Sequence, residues 1–145
     1  MLEKPQTDIG CVLTPLVWAC WAVERYQLVD KWLGGATILE PTAGRGVFLE
    51  AIIKLALESG GNVTKSALHR LFAVELKKDS SEYFFTRMRE KYNIEFPADN
   101  FIVGDFLLEE SFPAVDYIIG NPPWTNFSDL PNDYKEELKP VFHHY

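Results

Sequence analysis

Residues 38–50 read Ile38-Leu39-Glu40-Pro41-Thr42-Ala43-Gly44-Arg45-Gly46-Val47-Phe48-Leu49-Glu50. An apolar run, a turn with two glycines and a second apolar segment spell strand, tight turn and helix. Gly44 and Gly46 allow the backbone to turn sharply and to come close to a ligand. The first turn of the following helix offers free N–H groups to a carboxylate. A lone G-x-G is also common at plain strand-to-helix turns. The G-x-G-x-x-G fingerprint is absent, because Leu49 stands at the third glycine position, and there is no Walker lysine pattern. A nucleoside carrying a carboxylate suits this turn better than a dinucleotide pyrophosphate.

Strand and helix signals alternate on both sides of it. Upstream, Thr14 is a plausible N-cap with Pro15 at the first helical position. That helix is expected to run to about Leu33, with Gly34-Gly35 as its stop. Strand one is expected at about 37–40, followed by a helix from Val47 to Glu58. Thr64 opens a short helical turn, strand two covers 71–75, and Ser80 or Ser81 caps a helix to about Tyr92. Strand three falls at about 100–103 and strand four at 115–119, and a short helix interrupted by Pro140 lies beyond Asp129. The alternation predicts an α/β, doubly wound, mainly parallel sheet.

Two acids and one motif lie along this frame. Glu75 ends strand two, where a carboxylate can accept hydrogen bonds from both hydroxyls of a ribose. Asp105 follows strand three and can accept from an adenine amino group, with Phe106 beside it as a stacking face. Either acid alone is more often a solvated strand-end residue. What matters is their order between the glycine turn and Ile118-Ile119-Gly120-Asn121-Pro122-Pro123-Trp124. The two prolines fix their own φ and carry no N–H, so their carbonyls are held rigidly as acceptors. An Asn oxygen, a preset proline carbonyl and an aromatic face together suit a planar amino group on a π-system, either an exocyclic amine or a carboxamide. The plain alternative is a tight Pro-Pro turn plugged by an aromatic.

Taken together, these motifs resemble the N-terminal, cofactor-binding and catalytic half of an S-adenosylmethionine-dependent N6-adenine DNA methyltransferase. In the group concerned, the cofactor motifs precede Asn-Pro-Pro-aromatic and target recognition is C-terminal. Residues Glu40–Leu49 are similar to the family's cofactor loop, Asp-Pro-x-x-Gly-x-Gly-x-Phe, with Glu40 in place of the Asp and departures at Thr42 and Arg45. Gly10-Cys11-Val12-Leu13-Thr14-Pro15 resembles the upstream motif that closes over the methionine end.

The resemblance implies a Rossmann-like methyltransferase sheet of order 3-2-1-4, consistent with right-handed crossovers, and S-adenosylmethionine as cofactor. It implies that Thr14 and Pro15 border the methionine, and that Glu40, Pro41, Gly44, Gly46 and Phe48 form the cofactor loop. Glu75 would take the ribose, and Asp105 and Phe106 the adenine. Asn121, adjoining the cofactor, and Pro122 would accept from the target N6 amine. Pro123 completes the rigid turn, and Trp124 would stack on a flipped base. A restriction-modification setting is implied as well. A complete member continues with three more strands and a target-recognition domain, so residues 1–145 are expected to form one methyltransferase domain truncated after strand four. The same residues also fit an RNA adenine methyltransferase or a non-catalytic cofactor-binding fragment. A protein glutamine methyltransferase shares the motif, usually with Tyr as its aromatic and without the upstream Thr-Pro pattern.

Composition agrees with an ordinary globular domain: 145 residues, 47% hydrophobic and 24% charged. No stretch is long and apolar enough to span a membrane, no signal-peptide pattern opens the chain, and Cys11 and Cys20 read as reduced thiols. A cytoplasmic protein is expected. The net charge of −7 lacks the basic footprint of a stand-alone DNA binder, so DNA contact is expected through a C-terminal region beyond Tyr145. Strand four is apolar and would end the sheet as an open edge. The expectation is self-association there, a complementing chain, or cover by the tail from Asp129 to Tyr145. Trp18, Trp21 and Trp32 are expected in the core. Arg87, Arg89 and Lys91 read as a solvated helix face, Glu109-Glu110 as a solvated loop, and His143-His144 as no metal site.

Overall fold

Parallel strands cannot be joined by tight turns and require crossovers, and this constraint organises the chain. The computed structural model describes residues 12–142; Gly10, Cys11, His143 and His144 lie outside the described residues. Strand β1 (Ile38–Glu40) is buried along its whole length. On one side it pairs in parallel with β2 (Leu71–Glu75), Ile38 opposite Leu71. On the other it pairs in parallel with β4 (Tyr117–Ile118), Ile38 opposite Tyr117. Strand β3 (Phe101–Val103) adds outside β2, giving the order β3-β2-β1-β4 expected from the sequence. The winding reverses at β1. A crevice at such a switch point, beyond the carboxyl ends of the strands, is the standard ligand position in open α/β sheets.

Helix α1 (Leu16–Arg25) and helix α2 (Leu28–Leu33) replace the single helix expected there, because Gln27 adopts a left-handed conformation, φ 55°, between them. Pro15, not Thr14, occupies the N-cap position of α1. Helix α3 (Val47–Glu58) has the expected bounds. Helix α4 (Lys65–Leu68) is capped by Thr64, whose Oγ1 accepts from the Ala67 N–H at 3.1 Å. Helix α5 (Lys78–Tyr92) begins ahead of the predicted serine caps, and Ser81 Oγ instead donates to the Lys78 carbonyl. Helix α6 (Asn132–Leu138) follows in the tail.

The core joins Ile38 and Leu71 of the sheet to Leu49, Ile52 and Ile53 of α3 and to Ala19 and Val23 of α1. Phe84, Phe85, Phe96 and Phe101 form an aromatic cluster within it or against it, with Phe84 edge-on to Phe96 at 5.0 Å. Trp32 is 0% exposed and its Nε1 donates to the Ala67 carbonyl at 2.8 Å. Trp18 and Trp21 do not join it; they are 62% and 58% exposed. The reason is helical phase: Ala19 and Val23, four residues apart, define the buried stripe, and Trp18 and Trp21 fall on its outer side.

The basic run on α5 also differs from expectation. Glu50, buried on α3, takes Arg87 Nε at 2.6 Å, Lys91 Nζ at 3.3 Å and the Tyr92 hydroxyl at 2.7 Å. Burial pushes the Glu50 carboxyl up, and these partners, Arg87 foremost, more than reverse it, so it lies below the ordinary carboxylate range. Arg87 and Lys91 therefore tie α5 to α3, Lys91 from a position that stays exposed, and Arg89 lies on the exposed face paired with Glu95.

Strand β4 is shorter than expected, and the described residues of the tail do not cover it. Ile118 remains 63% exposed, while α6 reaches the β3 side through Tyr134, whose hydroxyl donates to Asp105. Among the described residues no helix is long and apolar enough to cross a membrane.

The two tryptophan environments predict opposite outcomes. Trp32→Ala should cost about 3–5 kcal/mol of stability, whereas Trp18→Ser should stay within about 0.5 kcal/mol. Urea unfolding of the two variants checks this.

Candidate cofactor and amine site

The turn after β1 is held from below by two carboxylates. Glu40 is buried, and its Oε1 and Oε2 accept from the backbone N–H groups of Phe48 and Leu49 at 3.2 and 3.0 Å. It thus caps α3 from the neighbouring strand, where the N-cap residue Gly46 has no side chain to do so. Those N–H groups are the ones the sequence offered to a ligand carboxylate, and Glu40 already occupies them. Burial, with nearby Glu75 adding to it, pushes the Glu40 carboxyl up to about 8 against the pull of the two N–H groups. Phe48 likewise faces inward and is part of the core.

Glu75, at the end of β2, reaches across to the same turn. Its Oε2 accepts from the Gly44 N–H at 2.6 Å and its Oε1 from the Lys77 N–H at 3.0 Å. Gly44 and Gly46 have φ of 55° and 69°. A methyl group on Gly46 would overlap the Phe84 ring, whereas at Gly44 its nearest neighbour would be Leu13 Cδ2 at 4.0 Å. Gly46 is thus required by packing, and Gly44 leaves open room for close approach. Thr42 also has positive φ, 53°, a costly conformation for a β-branched residue and one that concentrates at functional turns. Its hydroxyl donates to the Pro41 carbonyl at 2.6 Å.

On the far side of the switch point the chain leaves β4 through Gly120. A Cβ at Gly120 would lie 3.1 Å from the Pro41 carbonyl oxygen, so the Asn-Pro-Pro-Trp segment passes directly against the glycine turn. Asn121 Nδ2 donates to Thr14 Oγ1 at 3.3 Å, and Asn121 Oδ1 accepts from Trp124 Nε1 at 3.2 Å. Thr14, freed from capping α1, joins the upstream segment to the motif 107 residues later. Pro15, Pro122 and Pro123 are exposed beside them, and Trp124 is 79% exposed.

The third strand contributes Asp105. Its Oδ1 accepts from the Leu107 N–H at 3.0 Å and its Oδ2 from the Tyr134 hydroxyl at 2.7 Å. Phe106 is half-buried against Phe112, ring centroids 5.1 Å apart. Tyr134 and the capping role of Glu40 have no local sequence signal. Tyr134 reaches Asp105 from 29 residues away, whereas Glu40 meets Phe48 and Leu49, eight and nine residues on, because the tight turn folds the start of α3 back onto the strand.

No family model matches the chain. It is 30% identical over 104 residues, 72% of its length, to the type II methyltransferases M.HincII and M.HindII of Haemophilus influenzae. The chain spans only 16% and 15% of those two proteins. A solved structure from Pyrococcus horikoshii, described as a candidate RNA methyltransferase, superposes with a TM-score of 0.53 over 83% of this chain and 51% of that one, at 22% identity. The fold is the Rossmann-like one of methyltransferases. The relatives matched by sequence are methyltransferases, and the solved structure shares the fold.

The buried Glu40 sets a pH dependence. Unfolded, this group loses its proton near 4.5; folded, it keeps it to about 8. Its contribution to stability is therefore complete below 4.5 and declines as pH rises toward 8. Glu40→Gln, which cannot titrate, should flatten that part of the stability profile measured by denaturant midpoints at successive pH values.

Proposed function

We propose that this chain supplies the cofactor site and the amine-activating motif of an S-adenosylmethionine-dependent methyltransferase acting on the N6 amino group of adenine in DNA, within a cytoplasmic restriction-modification system. The observation that carries the proposal is the meeting of three segments at the switch point. The glycine turn after β1, the Asn-Pro-Pro-Trp segment after β4 and Thr14 ahead of α1 lie against one another. The kinship to type II methyltransferases favours DNA as the substrate.

The residues present suit an adenosyl cofactor. Gly44 has room for close approach, and Glu75 and Asp105 stand at the ends of adjacent strands with lone pairs beyond those already engaged. When bound, the cofactor supplies an already activated methyl group, so the protein's task is mainly positioning. Glu75 holds Gly44 in place and accepts from ribose hydroxyls, Asp105 accepts from the adenine amino group, and Phe106 and Pro41 flank the nucleoside. Thr14 and Pro15 border the methionine end. Glu40 and Phe48 act indirectly, by fixing the start of α3.

The target adenine must leave the duplex to reach this site. Asn121 Oδ1 and the Pro122 carbonyl then accept from its N6 amine, which draws the nitrogen lone pair out of conjugation and makes it nucleophilic. Acceptors preset where positive charge develops stabilise the transition state. Thr14 orients the Asn121 amide so that its oxygen faces away from the hydroxyl. The Trp124 indole, which donates to that oxygen here, gives way to the target amine and stacks on the base. With a net charge of −7, phosphate neutralisation falls to a region or chain other than this one.

The decisive experiment measures methyl transfer to DNA and to RNA with a target-recognition region supplied. Transfer to DNA is expected. Asn121→Ala should abolish it while leaving cofactor affinity nearly intact, and Trp124→Ala should cost about 1–3 kcal/mol in binding a flipped base. Preference for RNA would shift the substrate, and full activity of the Asn121 variant would overturn the motif's role. Calorimetry should show cofactor binding that Glu75→Ala weakens. Ligand at about a hundred times Kd should add roughly 2.7 kcal/mol of stability.

A further inference from the structure

Tyr134, in the tail, closes onto the acid assigned to the cofactor's adenine. Its hydroxyl donates to Asp105 Oδ2 at 2.7 Å, while the Leu107 N–H holds Oδ1 at 3.0 Å. The two donors bind different oxygens and so fix the plane of the carboxylate. Each oxygen keeps a further lone pair, since an ionised carboxylate has about four acceptor positions.

The tail is itself held in place. Leu138 at the end of α6 is buried, the Lys135 N–H donates to the Pro131 carbonyl at 3.0 Å, and Lys135 Nζ donates to the Ser128 carbonyl at 2.7 Å. Burial first, and then the Asp105 carboxylate, push the Tyr134 phenol above its ordinary range. It therefore remains a donor throughout the neutral range.

We propose that Tyr134 is a positioning residue for cofactor recognition: by fixing the Asp105 carboxylate, it sets discrimination for a nucleoside bearing an exocyclic amino group. The inference rests on the cofactor reading above and extends it to a residue far from every cofactor motif in the sequence. A carboxylate free to rotate would accept from the adenine amine in only part of its orientations. One held by two protein donors presents its remaining lone pairs in a constant direction, which lowers the ordering cost at binding.

The test compares S-adenosylhomocysteine with S-inosylhomocysteine, in which an oxo group replaces the amino group. Both are titrated into the wild-type chain and into Tyr134→Phe. Wild type should bind the adenosyl ligand about ten- to a hundredfold more tightly, as one hydrogen bond to a charged acceptor is worth. In Tyr134→Phe that ratio should fall toward one through weaker adenosyl binding, with inosyl affinity little changed. Asp105→Asn should do the same.

A merely structural role for Tyr134 would weaken both ligands equally and keep the ratio, which would overturn the inference. So would tighter adenosyl binding in Tyr134→Phe, which would make the tyrosine a competitor for Asp105, or a ratio near one in wild type. Failure of the folded wild-type chain to bind either ligand would instead refute the cofactor reading itself.

Discussion

The structure depends on how β1 is tied to α3. A parallel strand that turns directly into a helix leaves the helix with unsatisfied N–H groups at its start. Here the tight turn places Gly46, with no side chain, at the N-cap. Glu40 supplies the missing acceptor from the last residue of the strand, with both oxygens on the N–H groups of Phe48 and Leu49. The turn between can then adopt positive φ at Thr42, Gly44 and Gly46 without the helix losing its anchor. Glu75 reinforces it from β2 through the Gly44 N–H. Two acids from adjacent strands thus hold one loop, and the burial of the first is what makes its carboxyl reluctant to ionise.

Everything assigned to chemistry is arranged around that loop. Gly120 passes so close to the Pro41 carbonyl that a Cβ would lie 3.1 Å from its oxygen, which brings the Asn-Pro-Pro-Trp segment to the crevice at the point where the strand order reverses. Thr14 could have capped α1. It orients the Asn121 amide instead, and Pro15 takes the N-cap position without a side-chain bond. Weakening the start of a helix to position a site residue is the kind of local inconsistency that concentrates at functional positions.

The scaffold is stabilised separately. The Phe84 cluster, Trp32 beneath α4 and the Glu50 cluster between α3 and α5 lie away from the crevice. Chemistry can vary there without disturbing them, with one exception: Gly46 abuts Phe84, so the glycine turn and the aromatic core are coupled. The outer face of α1, with Trp18 and Trp21, and the Ile118 edge remain exposed.

The sequence by itself determined the strand–turn–helix frame and the positions of the motifs along it, which follow from local periodicity and from glycine and proline chemistry, properties of neighbouring residues. The bounds of α3 and β2 were legible for the same reason. The parallel order β3-β2-β1-β4 was implied by the family resemblance together with the handedness of crossovers. Only the tertiary structure decided that Glu40 caps a helix and does not face a ligand, and that Trp18 and Trp21 lie outside the core while Trp32 lies within. It also decided that Arg87 and Lys91 serve a buried acid and that Tyr134 meets Asp105. The Glu40 cap lies within a short stretch, but it depends on the conformation of the turn that folds Phe48 and Leu49 back onto the strand. The others depend on the rotational phase of a helix or on the meeting of residues far apart in sequence, and such contacts arise from packing.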